Sequence, residues 1–254
     1  MLSVQLRIFS SMHLRLPDGG RNERRCPAVP ACMTTVGFIG SGMIGSTVAR
    51  LSVAAGHQVV LSNSRGPETL KDLAAELGPL ARAVTGEQAA AAGDIVVVTI
   101  PLRAYRSVPA GPLAGKTVID TTNYYPQRDG QIAELDSGSI TSSELLQRHL
   151  AGSAVVKAFN NIYYRHLLSL ARPAGAADRT FLPIAGDDPE AKQAVSAFLD
   201  SIGYGTVDAG PLADSWRQEP GRPAYGAPYG PFSQPAGTSA SAGTIRSALA
   251  AATR

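Results

Sequence analysis

Short apolar runs alternate along this chain with stretches whose apolar residues recur at helical spacing. Residues 36–40 (Val-Gly-Phe-Ile-Gly) form an uninterrupted apolar run that stops at glycine, the signature of a strand buried on both faces. Ile44, Val48, Leu51 and Ala55 then repeat with helical period, and Gly56 closes that segment. The pattern predicts further strands at 58–62, 81–84, 94–100, 116–120, 154–159, 180–185 and 204–208. It predicts helices at 43–55, 67–77, 87–92, 142–150, 162–170, 189–202 and 244–252. The β-branched run Ile95 to Ile100, ended by Pro101, is the strongest strand signal. Such alternation calls for a mainly parallel, doubly wound α/β sheet with crossover helices.

Two stretches break the pattern. Residues 217–238 hold Pro220, Pro223, Pro228, Pro231 and Pro235 with four glycines, a density that no central strand or helix survives. This strap also carries Tyr225, Tyr229 and Phe232, with Trp216 just before it. Those four aromatics predict a strap that either covers its own core or provides a wall for a planar ligand or a surface for a second subunit. Residues 1–32 have apolar runs cut by Arg7, His13 and Arg15, too short for a secretory core. They are expected to be a disordered extension, and Met33 stands directly before the first strand as a candidate start. The domain reading is therefore 1–32 extension, 33–150 nucleotide-binding domain, and 151–254 small C-terminal α/β domain with its strap.

Charge sharpens this division. Five arginines against Asp18 and Glu23 give the extension a net +3, which is the whole formal charge of the chain. The remainder is balanced, so nothing electrostatic points to nucleic acid. Both cysteines, Cys26 and Cys32, also lie before residue 33. The rest offers no disulfide framework and no thiolate site, which fits a cytoplasmic location. No apolar run reaches membrane-spanning length.

Gly40-Ser41-Gly42-Met43-Ile44-Gly45 is G-x-G-x-x-G between a predicted strand and a predicted helix, the context that gives this pattern meaning. Gly40 permits a tight turn, Gly42 admits a pyrophosphate, and Gly45 brings helix and strand close. Free amides and the helix dipole then favour the diphosphate. A site for NAD places an acid at the end of the second strand; this chain instead reads Ser62-Asn63-Ser64-Arg65-Gly66. A hydroxyl and a guanidinium suit a 2′-phosphate, so the expected cofactor is NADP(H), held by Gly40 to Gly45 with Asn63, Ser64 and Arg65. Strand ends at Ile100-Pro101, Thr121 to Pro126 and Phe159 to Tyr164 should surround the nicotinamide, with Asn123 and Asn160 as its amide partners.

Little proton-transfer machinery accompanies this. No tyrosine is followed four residues later by lysine, and no His/Asp/Glu cluster has metal spacing. His57 and His149 read as structural, and Lys157 inside a strand as structural or at the cofactor's edge rather than as a base. His166, Tyr124 and Tyr163 are the candidate donors should the acceptor need a proton. A site without an evident acid suits hydride transfer between two rings, where the protein supplies proximity.

From Met33 to about Leu212 the chain resembles the NADPH-dependent reductases of the deazaflavin coenzyme F420. The resemblance rests on residues 36–45, Ser64-Arg65, residues 118–123, residues 155–160, Ala185-Gly186-Asp187-Asp188 and residues 207–212. The oxidoreductase domain of the STEAP metalloreductases is similar over the same segments. This resemblance implies a Rossmann domain with a small C-terminal domain, a homodimer, and a small-molecule acceptor, deazaflavin (coenzyme F420) or flavin. The strap at 217–238 departs from the family pattern. Reduction of a small C=O or C=N group and a non-catalytic NADP(H)-binding redox sensor are the alternatives.

Overall fold

The computed structural model describes residues 33–254; the expectations for 1–32, with both cysteines, lie outside the described residues. Eight strands form one sheet in the order β3-β2-β1-β4-β5-β6-β7-β8. They are β1 (Thr35–Ile39), β2 (Gln58–Ser62), β3 (Ala81–Ala83), β4 (Ile95–Val98), β5 (Thr117–Asp120), β6 (Ala154–Lys157), β7 (Phe181–Gly186) and β8 (Gly205–Asp208). The α-helices are α1 (Met43–Ala54), α2 (Lys71–Leu77), α3 (Gly86–Ala92), α4 (Ala110–Leu113), α5 (Pro126–Asp129), α6 (Ala133–Asp136), α7 (Ser142–His149), α8 (Tyr164–Ser169), α9 (Pro189–Ser201) and α10 (Ala242–Ala250).

Every pairing from β3 to β6 is parallel, with Val36 beside both Val59 and Ile95. The order reverses between β1 and β4, as a Rossmann-type sheet requires. Alternate residues of these strands feed opposite cores. Val36, Phe38, Ile95 and Val97 join the larger cluster, which includes Val48 and Ala49 of α1. Ile39, Val96 and Val98 join a second cluster with Leu146 and Leu150 at α7. Both faces are covered, which explains why the strands read as continuous apolar runs rather than alternating ones. The sheet runs unbroken from the 33–150 segment into the 151–254 segment through the β5–β6 ladder.

The helices start where their caps allow. Thr85 and Thr141 each accept from the third helical amide while Gln88 and Glu144 reach back, closing capping boxes on α3 and α7. Asp188 accepts from the amides of Glu190 and Ala191, with Pro189 in the first turn of α9.

Three local expectations change. The helix expected over 67–77 is a 3-10 turn, Pro67–Leu70, followed by α2. Short helical turns at 102–107, 110–113, 126–129 and 133–136 are too brief to show periodicity. And β7 runs antiparallel to β6 before β8 restores a parallel pair. The six-residue α8 packs on α1 instead of crossing the sheet, so the chain re-enters it in the opposite direction. Among the described residues, no helix is long and apolar enough to cross a membrane.

Candidate functional site

The glycine loop divides its three glycines between two duties. Gly40 follows β1 with φ +101°, and its amide donates to the Ser62 carbonyl at 3.0 Å. A Cβ there would stand 2.3 Å from the Thr99 carbonyl oxygen. A Cβ on Gly45 would stand 2.7 Å from both the Gly40 carbonyl oxygen and Thr99 Cγ2. These two glycines are demanded by the fold. Gly42 is not: a Cβ there would meet no heavy atom within 4 Å. It is the N-cap of α1 and no side chain caps that helix, so the first-turn amides face open space. This is a cradle that a side chain would fill, as a pyrophosphate-binding loop requires. Ser41 Oγ donates to the Ser62 carbonyl at 3.0 Å and ties the loop to β2. Met43, 67% exposed, and Ile44 face the adjoining cleft.

At the end of β2, the Asn63 amide is committed to the loop itself. Its Oδ1 accepts from the Arg65 amide at 2.9 Å and its Nδ2 donates to Thr69 Oγ1 at 2.9 Å. Asn63 thus shapes the turn that presents Ser64 and Arg65. Both of those are exposed, and the Arg65 guanidinium has no protein partner among the described residues. Ile100 and Pro101 follow β4, with Ile100 beside Gly40 across the point where strand order reverses. Neither lines the cleft described next.

A cleft of about 240 Å³ opens beyond the carboxyl ends of β1, β5 and β6. Met43, Ile44, Asn123, Asn160, Tyr163 and Tyr225 are among its walls. Phe159 makes the turn that shapes it. This buried aromatic has φ +61°, a left-handed backbone costing about 1–3 kcal/mol. No sequence signal marks it. Beyond it, Asn160 Nδ2 donates to Asn123 Oδ1 at 3.0 Å and to the Gln218 carbonyl at 2.8 Å. Asn123 Nδ2 donates to the Asn160 carbonyl at 2.8 Å. The two amides expected to hold nicotinamide therefore first hold each other and the strap. Asn160 Oδ1 remains buried without a partner, as does Oδ1 of Asn161.

Beneath the rim lies Lys157, fully buried. Its ammonium donates to the Thr122 carbonyl at 2.7 Å and Ser142 Oγ at 2.8 Å, and stands 3.4 Å from Asp120 Oδ2. Ser142 Oγ in turn donates a hydrogen bond to Glu219 Oε1 at 2.7 Å. This network locks the loop after β5 to the start of the strap, a structural role for Lys157.

The strap aromatics separate. Tyr225 and Phe232 line the cleft, and the Tyr225 hydroxyl lies 2.6 Å from that of Tyr125. Burial, then this bond, pushes the Tyr225 phenol well above its ordinary value. Tyr229 does not wall the cleft: it is fully buried, bonded to Asn161 Nδ2 and to the Phe181 carbonyl. Trp216 sits elsewhere, among Arg217, Arg222 and Arg254.

The candidate proton donors separate too. His166 is fully buried outside the cleft lining and donates from Nε2 to the Gln234 carbonyl at 2.7 Å. With Ser169 Oγ, which donates to the Ala236 carbonyl, it anchors the strap rather than serving chemistry. Tyr124 bonds Asp136 at 2.7 Å and also lies outside the lining. Tyr163 and Tyr164 do line the cleft. Arg165 Nε donates to the Tyr164 hydroxyl at 3.0 Å and, with the Tyr163 hydroxyl, holds that phenol below its usual range. The bond to Tyr164 holds Tyr163 above it.

Residues 35–124 match the profile of the family described as NADP oxidoreductase, coenzyme F420-dependent. Metalloreductase STEAP3 of Rattus norvegicus is 32% identical over 191 residues, 74% of this chain and 36% of that protein. The chain spans little more than a third of the length of the curated relatives it matches. Among solved structures, the hypothetical protein SMa0349 of Sinorhizobium meliloti is 30% identical with TM-score 0.67, over 76% of this chain and 93% of that one. A candidate F420-dependent NADP reductase from Arthrobacter sp. FB24 shares the fold at 23% identity and TM-score 0.60, over 72% of this chain and 87% of that one. The profile match runs through the glycine loop, the Ser64–Arg65 turn and the loop after β5, the segments that build one side of the cleft, so residues 35–124 carry the profile of this NADP oxidoreductase family.

Proposed function

We propose that this protein transfers hydride between NADP(H) and a deazaflavin or flavin ring seated in the cleft, as a homodimer in the cytoplasm. The observation that carries this reading is the lining of the cleft. It offers aromatic rings and amides, and no carboxylate, ammonium or imidazole among the described residues. A ring acceptor needs stacking surfaces and orientation more than a protein acid. NADP(H), when bound, supplies or receives the hydride. The chain's own residues position it: the open space at Gly42 and the uncapped turn of α1 fit a pyrophosphate, and Ser64 and Arg65 fit a 2′-phosphate. Tyr163, Tyr225 and Phe232 exclude water and offer ring faces.

A second reading has its own observation. The Tyr164 hydroxyl, polarised by Arg165 at the edge of the cleft, is placed to give a proton to a reduced C=O or C=N group. Oxidation of NADPH at 340 nm with coenzyme F420, FMN, riboflavin, ketones and imines separates the two. Turnover with the tricyclic rings supports the first. Turnover with carbonyls or imines alone, lost in Tyr164→Phe, overturns it in favour of the second. Tight NADPH binding with no turnover overturns both and leaves a redox sensor.

A further inference from the structure

Three cavities of this fold share walls. The 240 Å³ cleft and a shallower groove of about 590 Å³ both use Tyr225 and Phe232. The groove is floored by Gly221, Gly226 and Gly230, which present backbone and no side chains. Arg222 lines the groove and also a third cavity of about 320 Å³, where it meets Trp216. Cleft, groove and third cavity therefore run in series along the strap.

Arg222 is the one charged residue lining the groove among the described residues. The Tyr225 amide donates to the Arg222 carbonyl at 2.9 Å, so the two are the ends of one tight turn, with Cα atoms within about 7 Å. A molecule leaving the cleft past Tyr225 meets Arg222 next. The guanidinium lies 5.3 Å from the centre of the Trp216 ring and gives one bond to the Thr253 carbonyl. Among the described residues it pairs with no carboxylate. The two acids lining the third cavity are engaged elsewhere: Asp136 accepts from the Tyr124 hydroxyl, and Glu219 accepts from the Ser142 amide and hydroxyl. A guanidinium carries five donors in a fixed fork, so most of this one is left for an anion.

We infer that the groove is a subsite for the tail of the hydride acceptor and that Arg222 receives an anionic group, a phosphate ester, at the end of that tail. This rests on the ring-acceptor reading and adds that the acceptor is elongated and anionic. The ring occupies the cleft, the tail crosses between Tyr225 and Phe232 over the glycine floor, and the anion meets the Arg222–Trp216 corner.

FMN and riboflavin share one ring and differ by a phosphate, which makes them the probes. Trp216 is the single tryptophan of the chain, so its fluorescence reports binding at this corner without turnover. Titration of the NADP⁺-loaded protein should give FMN about fivefold or more tighter binding than riboflavin, the effect of a partly exposed charge pair. Arg222→Gln should bring the two together while NADPH affinity stays unchanged, because the glycine loop is a separate contact set. Equal affinities in the unmutated protein overturn the tail subsite alone. A preference that survives Arg222→Gln overturns the assignment to Arg222. If FMN, riboflavin and coenzyme F420 all fail to bind while NADPH still does, the ring-acceptor reading itself fails, and this inference with it.

Discussion

Exchanging one glycine at a time in the G-x-G-x-x-G loop should separate ligand binding from folding. At Gly42 the backbone is extended (φ −76°, ψ −161°), which any L residue can adopt, and an added Cβ meets nothing within 4 Å. Two terms bear on the stability of Gly42→Val. Restricting the unfolded chain stabilises by roughly 0.4–1 kcal/mol, while a poorer N-cap residue costs about as much. The net is within about 1 kcal/mol, so Tm should move by less than ~4 °C for a domain of this size. Binding is another matter. The valine side chain would fill the space reserved for the pyrophosphate and keep it from the α1 amides. Losing two charge-assisted bonds of about 1.5–3 kcal/mol each weakens NADPH by roughly 10²–10⁴-fold. Gly45→Ala should do the reverse in kind. Its Cβ would press to 2.7 Å on the Gly40 carbonyl and Thr99. Overpacking of about 1–3 kcal/mol lowers Tm by roughly 3–10 °C. Thermal melts and NADPH fluorescence titrations on both variants make the comparison. A folded Gly42→Val that binds NADPH normally would refute the reasoning, and so would a Gly42→Val that melts early beside a neutral Gly45→Ala.

Arg65→Ala should raise the Kd for NADPH about tenfold, the lower end for a charge-assisted bond at an exposed residue, and leave NADH within twofold; equal losses would end the 2′-phosphate assignment. Tyr229→Ala should cost about 3–5 kcal/mol, as removal of a buried aromatic does, with a Tm fall of 6 °C or more. Tyr225→Ala should leave Tm within a few degrees and raise the acceptor KM; the opposite ranking would exchange their roles. His57 is buried, its Nε2 donating to Ser201 Oγ at 2.8 Å, and burial lowers its pKa. Its folded pKa lies below the unfolded value near 6.5, so stability should fall as pH drops from about 7.5 through 6.5 towards the folded pKa. His57→Gln should flatten that stretch of a Tm-against-pH curve, and an unchanged slope would clear His57 of the effect.

Much of the frame is written locally. Strands buried on both faces must be apolar throughout, and the crossover helices between them must carry apolar residues every three or four positions. Both marks lie within a dozen residues of chain, so 36–40, 58–62 and 94–100 announce themselves. The glycine loop is legible for the same reason: six consecutive residues hold the turn, the cradle and the helix contact. The absence of an acid after Ser62, with Arg65 in its place, is equally local.

What the sequence could not decide was which distant residues meet. Tyr225, Tyr229 and Phe232 read alike on a proline-rich strap, yet only folding against residues 159–169 turns Tyr229 into the core and leaves the other two on the cleft. His166 looked available until the carbonyl of Gln234, far along the chain, accepted the hydrogen bond from its Nε2. Asn123 and Asn160 were recognised as strand-end amides, but their bonds to each other and to Gln218 exist only where the carboxyl ends of β5 and β6 lie side by side. The reversal of β7 follows from α8 packing on α1, a contact between segments more than a hundred residues apart. Periodicity reports the face a residue turns towards the core. The identity of the neighbour on that face is set by the packing of the whole sheet, and here that packing determines which side chains can touch a ligand.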